Sequence, residues 1–107
     1  MPALHSFTKG GNGLVEIILE GAHMQDRMSA HGEIAKKLSF PEYYGNNLDA
    51  LWDMLTTCDE ITVTLTGASV MLGSLRGYGC KLLETFFEAE EENPHFRFFI
   101  LPEGEEA

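Results

Sequence analysis

Three strand-like segments separated by helix-like segments constrain the fold of this chain more than any other feature of its sequence. Apolar and polar residues alternate strictly from Ile61 to Thr66, which is the pattern of a half-buried strand. The β-branched segment Leu14–Leu19 and the segment Phe96–Leu101, interpreted as largely buried, are predicted to be the other strands. Strands separated by helices pair in parallel through right-handed crossovers. The predicted fold is therefore α/β, a three-stranded parallel sheet with about four helices packed on it.

Capping residues and apolar spacing predict where these helices lie. Ser29 is predicted to cap the first helix, and Asn46 or Asn47 the second. The four predicted helices cover residues 29–38, 48–56, 68–75 and 78–92. The residues predicted to face the core are Leu48, Leu51 and Leu55 in the second helix and Leu82, Leu83, Phe86 and Phe87 in the last.

The length of 107 residues fits one domain. Residues 1–13 end in a glycine-rich stretch and are predicted to be a flexible lead-in. Residues 14–101 form the predicted folded domain, and residues 102–107 an acidic tail.

The charge balance bears on the partner. Seven Lys and Arg against 17 Asp and Glu give a net charge of −10, which repels nucleic acid and anionic lipid and attracts basic proteins. No apolar run approaches the ~20 residues of a membrane span, and no signal peptide is visible. We therefore expect a cytoplasmic protein with Cys58 and Cys80 reduced, although the sequence leaves a single disulfide open.

The second predicted helix carries an unusual face. Asp49 and Asp53 lie four residues apart and therefore on one side, with Trp52 and Thr56 beside them. Like charges at this spacing oppose helix formation by roughly 0.2–0.5 kcal/mol, and an outward tryptophan among acids suits a binding surface. The alternative is structural: Asp49 favours the helix N-terminus and Trp52 is half-buried core.

The last predicted helix crowds acids at its negative end, where the helix dipole favours basic residues. These acids are Glu84, Glu88, Glu90, Glu91 and Glu92. A solvated helix face is the common explanation of such a run, and a basic partner is the other. Tyr43 and Tyr44, in the turn before the second helix, are candidates for either an interface or the core.

The sequence offers little support for an enzyme. Cys58 has no identifiable histidine partner, the four histidines are scattered singly, and no phosphate-binding or hydrolase motif is present. Asp49 and Asp53 are a thin ligand set for Mg²⁺ or Ca²⁺. We expect no catalytic residues, no bound metal and no cofactor.

The segment from Phe40 to Thr56, FPEYYGNNLDALWDMLT, closely resembles the signature segment of the barstar family, intracellular inhibitors of barnase-type ribonucleases. The resemblance continues more weakly through Leu82–Glu92 and the final strand, so that it covers residues 14–101. It implies a 1:1 complex with a basic, barnase-like extracellular ribonuclease, and an inhibitor that is monomeric alone. Thr57-Cys58 replaces the family's glycine and tryptophan, which removes an interface aromatic.

The resemblance also implies the contact residues. Tyr43 matches a tyrosine that packs on the catalytic centre of the nuclease, and Asp53 matches the acid that enters its phosphate site. The full predicted partner-binding set is Tyr43, Asn47, Asp49, Trp52, Asp53, Thr56, Glu88 and Glu92. Two alternatives remain: an immunity or adaptor module for another basic toxin such as a DNase, and a divalent-metal-dependent enzyme using the two aspartates.

Overall fold

A computed structural model describes residues 15–102 and confirms the predicted architecture. The helices and strands, in chain order, are β1 Glu16–Glu20, α1 Arg27–Leu38, α2 Leu48–Thr57, β2 Ile61–Thr66, α3 Ala68–Leu75, α4 Gly77–Glu92 and β3 Phe96–Ile100. A 3-10 turn, Gly21–His23, follows β1. The three strands form one parallel sheet in the order β1-β2-β3, so that β2 is central.

Within residues 15–102, helices cover only one face of the sheet. Along β1 and β3 buried and exposed side chains alternate, because helices pack against one face and leave the other open. Ile18 is 50% exposed and Phe99 is 52% exposed on the open face. The prediction of a largely buried third strand is therefore wrong for Arg97 and Phe99, which lie on the open face of the sheet.

The core lies between the covered face and the helices. Phe86 of α4 stacks on Phe98 of β3, with ring centroids 4.5 Å apart. Leu51 and Leu55 of α2 are fully buried, as predicted, and α2 packs mainly against α4. The prediction that Phe87 faces inward is wrong: its side chain is 43% exposed, although its ring makes a T-shaped contact with that of Phe98 at 5.1 Å between centroids.

The start of α1 differs from the prediction. Asp26 is the cap, because its carboxylate accepts a 2.8 Å hydrogen bond from the Ser29 backbone N–H. The Ser29 hydroxyl in turn accepts a 3.0 Å bond from the Asp26 backbone N–H. Ser29 is therefore the second half of a reciprocal capping box rather than the cap itself.

The predicted lead-in, Leu14 at the start of the first predicted strand, and the tail beyond Pro102 lie outside the described residues. Among the residues that are described, no helix combines the length and the apolar character needed to cross a bilayer.

Candidate partner-binding face

Helix α2 begins at a well-formed cap. The Asn47 side chain accepts a 2.7 Å hydrogen bond from the Ala50 backbone N–H and donates to the Gly45 carbonyl at 3.2 Å. Asn46 precedes it in the left-handed region with φ of 57°, a conformation that asparagine tolerates better than most residues. The predicted choice between Asn46 and Asn47 therefore resolves to Asn47, whose side chain fixes the direction of α2.

The two aspartates of α2 face solvent. Asp49 and Asp53 are both exposed and lie one helical turn apart. Within residues 15–102 neither carboxylate has a hydrogen-bond or ion-pair partner. Asp49 lies in the first turn, where the helix dipole favours an acid, whereas Asp53 lies past the middle and gains nothing from that end.

The other predicted contacts on α2 are partly structural. Trp52 is half-buried and packs against the edge of the core. The Thr56 hydroxyl donates a 2.8 Å hydrogen bond to the Trp52 carbonyl, one turn back along the helix. Trp52 therefore combines both interpretations of the sequence: it packs against the core, and the residue remains partly accessible.

The two tyrosines of the preceding loop have opposite roles. Tyr43 is 85% exposed, whereas Tyr44 is buried and its ring lies 4.8 Å from that of Phe40. The hydroxyl of Tyr44 lies 2.7 Å from Nδ1 of His31 on α1. This buried bond holds the loop against α1 and leaves the Tyr43 ring in solvent.

His31 also joins the loop to α4. Its Nε2 lies 2.7 Å from the Tyr78 hydroxyl, and the guanidinium of Arg27 lies 4.4 Å from the centre of the Tyr78 ring. Burial, reinforced by the positive charge of Arg27, lowers the pKa of His31, and burial raises the pKa of Tyr44. In the sequence, His31 was interpreted as one of four scattered histidines. Its spacing of three and seven residues from Ile34 and Leu38 places it on the inward face of α1.

The acids of α4 divide into two kinds. Glu84, Glu88, Glu91 and Glu92 are exposed. Glu90 is partly buried, and its carboxylate accepts a 3.1 Å hydrogen bond from the Phe98 backbone N–H. Glu90 therefore stabilises the junction of α4 and β3, while Glu88 and Glu92 remain available on the helix that packs against α2.

A second cluster of ionisable groups, missed in the sequence, lies near the ends of β1 and α1. The Glu33 carboxylate is buried and accepts hydrogen bonds from the Glu20 backbone N–H and from Lys37 Nζ, at 3.0 and 3.1 Å, and lies 3.1 Å from His23 Nδ1. Burial alone would raise the pKa of Glu33, but these bonds hold it below its usual value. Glu20, His23 and Glu33 lie close enough together for a metal ion, yet the Lys37 ammonium already supplies the positive charge. The spacing of four residues between Glu33 and Lys37, which places an acid and a base on one side of a helix, could have indicated this ion pair in the sequence.

The two cysteines are free thiols, Cys58 buried and Cys80 exposed. The buried Cys58 thiol donates to the Leu55 carbonyl at 3.3 Å. Burial raises the pKa of Cys58 to about 11, which makes it a poor nucleophile at neutral pH. Cys58 therefore belongs to the core, at the position where the family resemblance indicated that an interface aromatic is missing from this chain.

Residues 15–102 form a small α/β domain that has helices on one face of its sheet and presents two unpaired carboxylates on an exposed helix face, an arrangement typical of a protein-binding module. Comparison with known proteins specifies the class further. The chain belongs to the Barstar family, because the family model described as "Barstar (barnase inhibitor)" matches residues 14–102. A protein of Bacillus subtilis (strain 168) named "Putative ribonuclease inhibitor YrdF" is 39% identical over 82 residues, covering 72% of this chain and 87% of that protein. The predicted resemblance is thereby confirmed.

Proposed function

We propose that this protein inhibits a basic, barnase-type ribonuclease by covering its active site in a 1:1 complex. The observation that carries the proposal is the pair Asp49 and Asp53: two exposed carboxylates one turn apart, unpartnered among residues 15–102. Repulsion between the two carboxylates costs helix stability, and Asp53 lies too far from the helix N-terminus to gain from the dipole that favours Asp49. Membership of the barstar family and the name of the relative support a ribonuclease as the partner.

The mechanism follows from charge and rigidity. A ribonuclease binds RNA phosphates with cationic side chains, and carboxylates on a rigid helix can occupy the same positions without presenting a scissile bond. We propose that Asp53 enters the phosphate site and that Tyr43 packs beside the catalytic groups. The proposed contact set is Tyr43, Asn47, Asp49, Trp52, Asp53, Thr56, Glu88 and Glu92.

The net charge of −10 accelerates capture of a basic partner at long range, by roughly 10- to 1000-fold at low ionic strength. Rapid capture suits a protein that protects the cytoplasm of a bacterial cell against escaped or incoming toxin. In this proposal the inhibitor itself performs no chemistry, and its action is steric and electrostatic.

Titration of a barnase-type ribonuclease with the purified protein tests the proposal. We expect stoichiometric loss of RNA cleavage at one inhibitor per nuclease. Asp49→Asn should raise the inhibition constant about tenfold or more, because a nuclease cation loses its partner. Glu16→Gln removes the same charge from the opposite face of the sheet and should change the constant less than about threefold.

The same titration distinguishes the alternatives. A basic DNase that is inhibited while the ribonuclease is not would replace the proposed partner with another toxin. Heat released on adding Mg²⁺ or Ca²⁺, and abolished by Asp49→Asn, would instead indicate a metal site. Equal effects of Asp49→Asn and Glu16→Gln would show that only net charge matters and that the proposed face is wrong.

A further inference from the structure

The open face of the sheet is unusual for parallel strands, which are generally covered on both faces. Within residues 15–102 no element packs on it, and a shallow groove runs across it. The middle of the face is the row Ile18, Thr64 and Phe99, one residue from each strand in register. Two half-exposed apolar side chains therefore flank a central threonine.

A charged row lies beside the apolar one. Glu16 of β1, Thr62 of β2 and Arg97 of β3 are in register, so that an acid and a base stand at the two edges of the same face. Both charged residues are exposed, and neither has an ion-pair partner among residues 15–102. The face therefore has an apolar row and, next to it, a row that is negative on β1 and positive on β3.

This pattern is complementary to itself. A two-fold axis parallel to the strands, above the central strand β2, places β1 of one copy over β3 of the other. Residues at the same level along the sheet then face each other: Glu16 meets Arg97 of the second copy, and Ile18 meets Phe99 of the second copy. Each contact occurs twice, as a two-fold interface requires.

We propose that the open face binds the same face of a second copy of this chain, with strands aligned and sheets about 10 Å apart, as in aligned sheet packing. Charge selects this arrangement over the other face-to-face dimer. A two-fold axis across the strands would place Glu16 over Glu20 of the second copy, which already pairs with Lys37 at 3.6 Å, and would leave Arg97 without an acid opposite it.

The size of the face sets the strength of association. Three strands of five or six residues cover roughly 14 by 17 Å, less than the ~800 Å² per partner of a standard stable interface. A dissociation constant between about 10 μM and 1 mM is therefore expected, so that dilute protein is monomeric. The helices α2 and α4 lie on the other side of the sheet, which leaves each copy free to bind its own partner.

Sedimentation of the full chain from about 10 μM to 1 mM at physiological salt tests the proposal. We expect a monomer–dimer equilibrium that Phe99→Thr weakens at least about tenfold. Glu16→Arg and Arg97→Glu should each weaken it as well, by juxtaposing like charges. The double variant should restore it, because each reversed residue again faces the opposite charge.

The charge-reversal variants separate specific pairing from general repulsion. Reversing Glu16 adds two positive charges and takes the net charge from −10 to −8, whereas the double variant returns it to −10. General repulsion would make Glu16→Arg associate more strongly than the parent, which would overturn the proposal. A chain that stays monomeric to about 1 mM would also overturn the proposal. The occupant of the face would then be residues 1–14 or another protein rather than a second copy.

Discussion

Asn93 holds the C-terminal end of α2 against the end of α4: its side-chain amide donates a 2.9 Å hydrogen bond to the Leu55 carbonyl. The same amide group lies 3.3 Å from the Cys58 carbonyl. Both carbonyls lie at the end of α2, where the helix itself supplies no donor and no basic residue is present in the last turn. One buried amide therefore fixes the relative position of the two helices that carry the proposed contact acids.

Asn93→Ala should lower the free energy of unfolding by about 2–3 kcal/mol, because the Cys58 carbonyl loses its Asn93 donor and the Leu55 carbonyl keeps only the weak thiol donor of Cys58. Chemical denaturation monitored by tryptophan fluorescence measures the change. Glu91→Ala, an exposed position on the same helix, is the control and should stay within about 0.5 kcal/mol of the parent. Equal stabilities for the two variants would show that the Asn93 bonds are dispensable.

His31 should make stability depend on pH. Because burial and Arg27 lower its pKa in the folded state, the unfolded chain binds a proton at a higher pH than the folded chain does. The resulting stability is fully present above about pH 6.5, the unfolded-state value, and is lost as the pH falls toward the folded-state pKa. The loss cannot exceed about 1.4 kcal/mol per pH unit for one proton.

The contribution of His31 is measured by comparison with His31→Gln, which cannot titrate. Denaturation at pH 7.5 and pH 5.5, about one unit on either side of the reference value, should show a larger decrease for the parent than for the variant. His23 and His95 are present in both proteins, so their contributions cancel. Parallel decreases would contradict the assignment of a neutral, buried His31.

The two thiols should differ in reactivity. An aromatic disulfide reagent should modify Cys80 rapidly in the native protein and leave Cys58 unmodified, since Cys58 is buried and its pKa is raised to about 11. Denaturation should make both react. Cys80→Ala should abolish the fast reaction, and rapid modification that persists in this variant would show that Cys58 is accessible.

The succession of strands and helices along the chain, and most helix bounds, followed from patterns that are present within single segments of the sequence. The alternation in β2 and the apolar spacing in α2 and α4 are local periodicities. They can be recognised without knowing which elements pack against these segments. The exposure of Phe99 did not follow, because the run from Phe96 to Leu101 is apolar on both faces of the strand and does not show that one face is left uncovered. Which faces of a sheet the helices cover is a property of the assembled fold.

Part of the candidate face could be predicted because it also depends on local spacing. The spacing of Asp49 and Asp53 placed them on one side of α2, and both are exposed. That Tyr43 is exposed and Tyr44 is buried could not be deduced from the loop alone. Tyr44 is held by His31, which lies thirteen residues earlier on α1. Glu90 likewise differs from its acidic neighbours through its partial burial and its bond to the β3 backbone, which depend on the assembled fold.

Leu51→Ala should separate stability from binding. Leu51 is fully buried on α2, so its truncation leaves a cavity and should cost about 2–5 kcal/mol of unfolding free energy. The exposed face of α2 keeps its chemistry. At a temperature where the variant is fully folded, its inhibition constant for the ribonuclease should lie within about threefold of the parent. A much larger loss of inhibition would show that binding depends on the core of α2 as well as on its surface.

The most direct test of the central claim is the affinity of Asp53→Ala for a barnase-type ribonuclease, measured on protein shown to be folded by a thermal melt. Alanine is the better helix former by roughly 0.5–0.7 kcal/mol, and the change removes repulsion from Asp49. The variant should therefore melt at or above the temperature of the parent. Its dissociation constant should rise about 30-fold or more, mainly through faster dissociation, because a buried cation of the nuclease loses its partner. A folded Asp53→Ala variant that binds as tightly as the parent, or one that unfolds, would contradict the account.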